Sequence, residues 1–296
     1  METMFGRIKI IAGIILLVFV ALPAAGDENM LQVRGSDTIV NLAQRLAEVY
    51  SEKNPGRHVA VTGGGSGTGI AGLRNRTTDI ANSSRPIRQR EIVDMKSKGV
   101  SPIGIVIAMD CITLIVNEKN KVDKLTIGEL KSIFSGDVVN WKDVGGDDIP
   151  ITLYGRQSNS GTYEVFKENV IAGEYSDKMR RMNGNSQIVE SIKNDISGIG
   201  YVGIGYVQDS SGLKAVRIAE NEKKEYVDPK NAIDVESGRY PLTRPLYQYV
   251  DGAPAGAVLD FIKFELGPEG QKIVSDMGFI SISKDYEEEN KKNADI

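Results

Sequence analysis

The sequence predicts an α/β fold with largely parallel sheets, and three observations support this prediction. Short apolar runs typical of strands alternate along the chain with segments whose apolar residues keep helical spacing. Glycine contributes 32 of the 296 residues, about 11% against a usual share of roughly 7%, and it gathers in the turns between these segments. A chain of 296 residues is long enough for about two domains with sizeable cores.

The alternation of elements can be followed along the chain. Strands are predicted at Met30–Val33 and His58–Thr62. Between them, apolar residues from Ile39 to Tyr50 keep the spacing of a helix, which the turn Asn54-Pro55-Gly56 ends. The later elements are two apolar β runs at Ile103–Ala108 and Ile112–Asn117, a helix capped by Thr126 and Glu129 that ends at Ser135-Gly136, a strand at Ile149–Tyr154, a helix around Phe166, an apolar run at Ile199–Val207, and helices at Val258–Leu266 and Gly270–Met277.

Composition excludes several classes of protein. The single cysteine, Cys111, excludes an internal disulfide framework and any paired-cysteine metal or redox site, and its apolar surroundings place it in a core. The single histidine, His58, removes most histidine-based metal sites and is expected at the surface. The net charge of −4 gives no sign of a nucleic-acid binder. We therefore expect no metal, no cofactor and no nucleic acid, and a solvated or frayed charged tail from Lys284 onward.

The N-terminal segment has the pattern of an export signal. Arg7 and Lys9 precede an apolar run of 16 residues from Ile10 to Ala25, and small and acidic residues follow it. This run is slightly short for a membrane-spanning helix. Residues 1–26 are therefore predicted to be a signal peptide, or an N-terminal membrane anchor if they are not removed. In both cases the protein is expected to be exported, to the periplasm or the cell surface.

Four turns that follow predicted strands share one chemistry. They offer small residues, hydroxyl side chains and the free backbone N–H groups of a helix start. In open α/β sheets such turns lie at the carboxyl ends of the strands, where ligands bind. The four turns are Gly35-Ser36-Asp37-Thr38, Gly63–Gly69, Asn82–Pro86 and Gly155–Thr162.

Together these turns predict a cage for a small oxyanion. Burying an unpaired charge in a fully apolar medium costs tens of kcal/mol, so a dehydrated anion needs many donors around it. Arg156 adds a fixed positive charge and two parallel donors. Taken singly, Ser36, Asp37 and Ser160 are equally well explained as helix caps. Arg85 fits a surface position as well as a ligand position.

The candidate nucleotide-binding and catalytic motifs do not support a nucleotide-binding or catalytic function. Residues Gly67 to Gly72 match GxGxxG in form, but no suitably placed acidic residue follows, and no Walker A lysine follows the glycines. The hydrolase motif GxSxG is absent, because Thr68 occupies its last glycine position. Nothing in the turns activates a nucleophile, so no enzymatic activity is expected.

The order and spacing of these segments resemble the phosphate-binding proteins of ABC-type phosphate uptake systems, in the periplasmic-binding-protein superfamily. The resemblance runs from about Gln32 to Ser283. It implies a type II periplasmic-binding-protein-like fold, in which two α/β lobes joined by crossing strands hold phosphate in a cleft. We expect lobe one at residues 27–106 plus 240–296 and lobe two at residues 107–239. Besides the four turns, the segments that carry the resemblance are Ile133–Gly136, Asn140-Trp141, Gly198–Tyr201 and Gly270–Val274.

Carried over residue by residue, the resemblance implies a binding set drawn from both lobes. One departure matters: some relatives have an aspartate where Ser84 stands, and that carboxylate accepts the proton of bound phosphate and repels sulfate, which has none. A mismatch of about 4 kcal/mol would discriminate about a thousandfold. Here Asp37 is our first hypothesis for the proton acceptor, and Asp110 is the second. The expected set is Ser36, Asp37, Thr38, Ser66 and Ser84 from lobe one, with Arg156, Ser160, Gly161 and Thr162 from lobe two.

The predicted function is the capture of inorganic phosphate by a monomer that closes around it and delivers it to the membrane permease of an ABC transporter. One alternative is the same module tuned to sulfate, molybdate or another oxyanion. A second is an exported phosphohydrolase that uses a serine near Arg156, which the lack of a histidine or metal constellation disfavours. A sensor of the same fold without a transport role also fits the sequence.

Overall fold

The computed structural model describes residues 30–208 and 211–294. The predicted export signal at residues 1–26 lies outside the described residues and stays a prediction. Strands and helices alternate over much of the described chain, which confirms the predicted α/β class. Within the described ranges, no helix is both long and apolar enough to cross a membrane.

The strands and helices predicted from the sequence fall close to their expected positions, with most ends differing by only a few residues. Several others are not predicted from the sequence, among them a strand at Thr243–Asp251 and helices at Gln89–Ser97 and Asn185–Lys193. The strands are β1 (Met30–Gly35), β2 (His58–Thr62), β3 (Ile80–Ser83), β4 (Pro102–Asn117), β5 (Lys124–Thr126), β6 (Thr152–Arg156), β7 (Arg180–Met182), β8 (Gly198–Gly203), β9 (Leu213–Ala215), β10 (Arg217–Ala219) and β11 (Thr243–Asp251). The α-helices are α1 (Val40–Lys53), α2 (Ser66–Arg74), α3 (Gln89–Ser97), α4 (Ile127–Ser135), α5 (Gly161–Phe166), α6 (Asn185–Lys193), α7 (Ala232–Glu236), α8 (Gly256–Leu266), α9 (Pro268–Asp276) and α10 (Lys284–Ala294).

One curled sheet runs through both halves of the molecule. Its strand order is β2-β1-β3-β11-β4-β8-β6-β7, with β9 also paired to β4. On one side of β4 and β11, strands β1, β2 and β3 are parallel neighbours; on the other side, β8, β6 and β7 are parallel neighbours. The antiparallel ladders between these strands all involve β4 or β11. We call the half that contains β1–β3 lobe one and the half that contains β6–β8 lobe two.

Strand β4 is a single strand of 16 residues, whereas the sequence predicts two apolar runs around Met109 and Asp110. The strand is continuous because its first part, up to Cys111, pairs with β11 and its second part, from Ile112, pairs with β8. It therefore passes from lobe one into lobe two. A second connection runs beside it, where Ile112 N donates to Leu242 O (2.9 Å).

Two helix starts show how local sequence sets the boundaries. The predicted cap of α4 is confirmed: Thr126 Oγ1 accepts from Glu129 N (3.2 Å), and Glu129 Oε2 accepts from Thr126 N (2.8 Å). Helix α2 begins at Ser66, four residues before the predicted start at Ile70. The reason is Gly65, whose φ of 97° is readily adopted only by glycine and lets the helix begin at the next residue.

The charged tail is largely exposed, as expected, but it forms a helix from Lys284 onward, so the expectation that it is frayed is wrong. Helix α10 packs against β4 through Asn290, which is buried despite the polar sequence around it. Its side chain accepts from Val106 N (2.9 Å) and donates to Val106 O (2.8 Å). This contact falls at a bulge in β4, where the register to β11 shifts. Composition could not predict this contact, because the polar residues around Asn290 give no indication that its side chain is buried.

Glu265 of α8 is fully buried beside Gln248 of β11. Gln248 Nε2 donates to Glu265 Oε1 (3.0 Å). Glu265 Oε2 and Gln248 Oε1 have no hydrogen-bond partner among the described residues. Burial raises the pKa of Glu265 well above its ordinary value, although the hydrogen bond from Gln248 acts in the opposite direction. A protonated Glu265 would donate from Oε2 to Gln248 Oε1 and satisfy both unpaired atoms.

Glu265→Gln is expected to stabilise the protein at neutral pH. The folded protein holds a proton on Glu265 that the unfolded chain releases above its ordinary pKa of 4.5. Above that pH this group lowers the free energy of unfolding by about 1.4 kcal/mol per pH unit, until the folded-state pKa is reached. Glutamine makes the same two hydrogen bonds with no proton to lose. Thermal unfolding at pH 7 should give a Tm several degrees above wild type, and the difference should vanish near pH 4.

The control for this prediction is Glu288→Gln at an exposed position of α10. It should leave the pH dependence of Tm unchanged. A Glu265→Gln protein that is less stable than wild type at every pH would contradict the proposed pairing of Glu265 with Gln248.

Candidate functional site

The four turns singled out in the sequence lie together between the lobes. Strands β2, β1 and β3 are parallel neighbours, so the turns that follow them open at one edge of lobe one. The turn after β6 faces them from lobe two. Its tip reaches across the cleft, where Asn159 O accepts from Gly67 N (3.0 Å) and Asn159 Nδ2 donates to Gly64 O (2.8 Å). The structure therefore has a closed cleft.

Two pairs of buried hydroxyl groups lie in this cleft. Thr38 of lobe one and Thr162 of lobe two have their Oγ1 atoms 2.9 Å apart. Ser66 and Ser84 come from the turns after β2 and β3. Ser84 N donates to Ser66 Oγ (3.0 Å), and the two hydroxyl oxygens lie 3.3 Å apart. Each pair has one proton more than its internal hydrogen bond uses, so each can donate to a ligand.

Two glycines let the turns approach this closely. A Cβ atom on Gly161 would lie 2.4 Å from Ser66 Oγ and 2.7 Å from Ser84 Oγ, so a side chain at the start of α5 would collide with both hydroxyls. A Cβ atom on Gly65 would lie 2.7 Å from Asn159 O. The glycine-rich turn after β2 is thus shaped by contact with the opposite lobe as well as by any ligand.

Arg156 brings a buried positive charge into the cleft. It lies at the end of β6, is 1% exposed, and donates from Nη2 to Asn183 O (3.0 Å). Its Nη1 lies 3.2 Å from Asp37 Oδ2, but neither Nη1 nor Nε makes a hydrogen bond to any described residue. Burial lowers the pKa of Arg156 and Asp37 opposes this shift; arginine nevertheless stays charged in proteins. A buried cation with unpaired donors is suited to an anion.

Asp37 is held between the lobes beside Arg156. Its Oδ2 accepts from Asn185 N (2.7 Å) and Asn185 Nδ2 (2.6 Å) at the start of α6. Its backbone carbonyl accepts from Tyr206 OH (2.6 Å). The side chain is 21% exposed, so the carboxylate remains accessible at the edge of the cleft. Asn185 carries no motif that would single it out in the sequence.

Ser36 and Ser160 are buried in the two facing turns. Ser160 Oγ accepts from Tyr163 N (3.4 Å) as the N-cap of α5, so the interpretation as a cap holds for this residue. A capping hydroxyl still has its proton to donate, so a ligand contact is compatible with it. Ser36 and Asp37 are not caps, because the N-cap of α1 is Ile39 and has no side-chain cap.

Arg244 and Asp110 form a second buried charge pair in the cleft. They are cross-strand neighbours on β11 and β4, and Arg244 Nε and Nη2 donate to Asp110 Oδ2 at 3.0 and 2.8 Å. Arg244 Nη1 also donates to Ser84 O (3.1 Å), and Nη2 donates to Thr162 Oγ1 (3.0 Å). Sequence reasoning selects Asp110 as a second proton acceptor but misses Arg244, which lies inside a strand and outside every turn motif.

The comparisons with known proteins identify the family. The model of the PBP superfamily domain matches residues 22–269. Phosphate-binding protein PstS of Pseudomonas aeruginosa is 32% identical over 277 residues, which cover 88% of this chain and 85% of that protein. Phosphate-binding protein PstS of Staphylococcus saprophyticus is 34% identical, with 91% and 86% covered. The chain belongs to the phosphate-binding protein family of the PBP superfamily.

Solved structures agree with this membership. A substrate-binding protein assigned to a phosphate ABC transporter of Clostridium perfringens, solved with bound phosphate, aligns with a TM-score of 0.78 at 28% identity and covers 86% of this chain and 100% of its own. An ABC-type phosphate transport receptor from Vibrio cholerae aligns with a TM-score of 0.68 at 27% identity, with 85% and 100% covered. The resemblance to phosphate-binding proteins and the two-lobed fold predicted from the sequence are confirmed.

In this member of the phosphate-binding protein family, a cluster of charged residues closes the cleft at its rim. We call Arg85, Arg88, Glu91, Glu164 and Glu168 the rim cluster. Arg85 is buried, pairs with both oxygens of Glu91 (2.7 and 2.8 Å), and also pairs with Glu164 of lobe two. Arg88 reaches Glu164 (3.1 Å) and Glu168 (3.0 Å). Burial raises the pKa of Glu164 against the effect of both arginines. Arg85, which the sequence leaves open, thus joins the two lobes.

Glu164→Gln is expected to weaken closure of the cleft. The change removes the carboxylate of lobe two that pairs with Arg85 and leaves Arg88 with Glu168 as its remaining partner there. A hydrogen bond to a charged group contributes about 1.5–3 kcal/mol, so the equilibrium between open and closed forms should shift toward the open form by about tenfold or more.

Energy transfer between dyes on the two lobes measures this shift, as the fraction of closed molecules at a fixed ligand concentration. The dyes are attached at Val93→Cys and Val139→Cys, both exposed positions, while the native Cys111 is buried and should not react. Glu168→Gln, whose side chain is 63% exposed, is the control and should change closure by less than about twofold. Equal effects of the two variants would show that the rim cluster acts only through general surface charge.

Proposed function

We propose that this protein is an exported solute-binding protein that captures inorganic phosphate between its two lobes and delivers it to the membrane permease of an ABC transporter. The observation that carries the proposal is Arg156, a buried cation in a closed cleft lined by hydroxyl groups. Its Nη1 and Nε make no hydrogen bond to any described residue, although Nη1 lies 3.2 Å from Asp37 Oδ2. The names of the relatives in Pseudomonas and Staphylococcus support the choice of phosphate.

The proposed ligand contacts come from both lobes. Arg156 supplies charge and two parallel donors, which suit a tetrahedral oxyanion. The hydroxyls and the N–H groups at the helix starts supply neutral donors, so the anion is desolvated without excess positive charge. The set is the one expected from the sequence: Ser36, Asp37, Thr38, Ser66, Ser84, Arg156, Ser160, Gly161 and Thr162.

Ligand capture couples to lobe closure. Contacts such as Thr38 to Thr162 and Asp37 to Asn185 exist only when the lobes are together. A ligand that touches both lobes therefore favours the closed form by its differential affinity for it. We propose that the lobes correspond to residues 27–106 plus 240–296 and 107–239, and that the closed form is the one a permease receives.

Other parts of the proposal concern the state of the protein in the cell. We infer that it acts as a monomer outside the cytoplasmic membrane, either released or anchored by its N-terminal segment, and that it does not bind nucleic acid. We infer that it does not act as an enzyme, because among the described residues of the cleft no serine hydroxyl is hydrogen-bonded to a carboxylate or a histidine that could activate it. Turnover of a phosphate ester that is lost in Ser160→Ala would contradict this inference.

The choice between phosphate and other oxyanions depends on which carboxylate accepts the proton that bound phosphate carries. Asp110 is fully buried, and both of its oxygens are engaged, Oδ2 by Arg244 and Oδ1 by Ile204 N (2.9 Å). It is therefore poorly placed to accept a proton from a ligand. Asp37 lies beside Arg156 and is partly exposed, which supports it as the acceptor. Sulfate or molybdate remain the alternatives if Asp37 does not discriminate.

Arg156→Ala is expected to weaken phosphate binding by about a hundredfold or more, because two charge-assisted hydrogen bonds are lost. The measurement is calorimetric titration of the purified protein with inorganic phosphate. Arg217→Ala removes an exposed arginine of the same lobe and should bind like wild type. Wild-type protein that gives no heat with phosphate but gives heat with sulfate or molybdate would overturn the choice of ligand.

Asp37→Asn is expected to reduce the preference for phosphate over sulfate by about tenfold or more. Phosphate carries a proton at neutral pH that a carboxylate can accept, whereas an amide N–H can donate to sulfate. Competition titration of the two anions measures the ratio of their affinities, which separates specificity from any general loss of binding. An unchanged ratio would refute Asp37 as the proton acceptor.

A further inference from the structure

The pair formed by Arg244 and Asp110 lies where the two connections between the lobes run side by side. Asp110 belongs to β4, and its Oδ1 accepts from Ile204 N of lobe two (2.9 Å). Arg244 belongs to β11, donates to Ser84 O of lobe one (3.1 Å) and donates to Thr162 Oγ1 of lobe two (3.0 Å). A single guanidinium therefore contacts both lobes and the strand that joins them.

The hydrogen bond from Arg244 limits the directions in which Thr162 can point its own hydroxyl proton. A guanidinium can only donate, so Thr162 Oγ1 accepts from Nη2, and its own proton is free for another acceptor. Thr38 Oγ1 lies 2.9 Å from Thr162 Oγ1. One of the two hydroxyl protons forms the hydrogen bond between Thr38 and Thr162, and the other remains available for donation to a further acceptor. Because Arg244 occupies one lone pair of Thr162 Oγ1, the proton of Thr162 must point away from the guanidinium, toward Thr38 or toward an anion in the cleft.

The arginine pairs in the cleft differ in how completely they are satisfied. Arg156 has two donors without a hydrogen-bond partner. Arg244 is matched in charge by Asp110 at 2.8 Å, so the pair adds little net charge to the site. Arg244 therefore acts on a bound anion through the groups that it contacts. One of these groups is Thr162, which belongs to the proposed binding set.

We propose that Arg244 is a positioning residue of the anion site. Held by Asp110, it orients the hydroxyl pair of Thr162 and Thr38 as a donor toward the bound anion and fixes this arrangement when the lobes close. This inference rests on the proposed function, since it assigns the hydroxyl pair to bound phosphate. Arg244 acts through Thr162 and not by direct contact with the ligand.

The test is a double-mutant cycle on the Kd for inorganic phosphate, measured by calorimetry. Arg244→Lys keeps a positive charge beside Asp110, but one ammonium group cannot also reach Thr162 and Ser84. In the wild-type background we expect the Kd to rise about tenfold, for the loss of one charge-assisted hydrogen bond. In a Thr162→Val background the same change should alter the Kd by less than about twofold, because the hydroxyl through which Arg244 acts is gone.

Thr162→Ser provides the rescue, because it restores the hydroxyl. In this background the tenfold cost of Arg244→Lys should return. Arg217→Lys, in an exposed pair with Asp123, is the matched control and should leave the Kd within about twofold of wild type. If Arg244→Lys is without effect, or weakens binding equally in the valine and serine backgrounds, the proposal is wrong and Arg244 only supports the fold.

Two further outcomes are distinguished. If Arg244→Lys does not fold, Asp110→Asn replaces it in the same cycle, because this change weakens the hold on the guanidinium without removing it. If Asp110→Asn raises the Kd for phosphate as much in the Thr162→Val background as in wild type, the proposal is again refuted. Wild-type protein that binds no phosphate refutes the proposed function itself. Wild-type protein that binds phosphate while Arg244→Lys binds equally well refutes only the role of Arg244.

Discussion

The buried guanidinium of Arg156, with two nitrogens that make no hydrogen bond to any described residue, is the constraint on which the cleft depends. Arg156 is 1% exposed, so its charge cannot be solvated by bulk water, and taking an ion out of water is costly unless its donors are met. Asp37 balances the charge at 3.2 Å but leaves donor positions open. The hydroxyls around it add further donors and no charge. An anion that enters this cleft completes a set of interactions that the protein leaves incomplete.

The other buried charges serve a different purpose, because they are paired within the protein. Arg244 is bound to Asp110, and Arg85 to Glu91 and Glu164. Arg244 also donates to Thr162 and Arg85 also pairs with Glu164, both of lobe two, so these two contacts form only in the closed cleft. Breaking one partner of a buried pair is costly, whereas the intact pair contributes modestly. The buried arginines thus divide into Arg156, which has two nitrogens without a hydrogen-bond partner among the described residues, and Arg244 and Arg85, which contact both lobes.

The same strand that joins the lobes also carries part of the site. Strand β4 exchanges β11 for β8 as its partner next to Asp110, so a movement of one lobe against the other passes through the residue that holds Arg244. Toward the other end of the strand, Asn290 of α10 binds the bulge at Val106. The crossing strand is therefore held by α10 on the side of lobe one.

The α/β class, the turns that carry the hydroxyls, the position of Arg156 in one of these turns and the family could all be predicted from short contiguous segments of sequence: strand, glycine-rich turn and helix start. Other features became apparent only in the folded structure. They are the continuity of strand β4 from one lobe to the other, the helical tail held by Asn290, and the contacts of Arg244, Asn185 and the rim cluster. These depend on pairing between residues more than 70 positions apart in the chain. The local sequence cannot predict such pairing, because a charged residue inside a strand has the same sequence context whether its side chain is solvated or paired with a buried carboxylate.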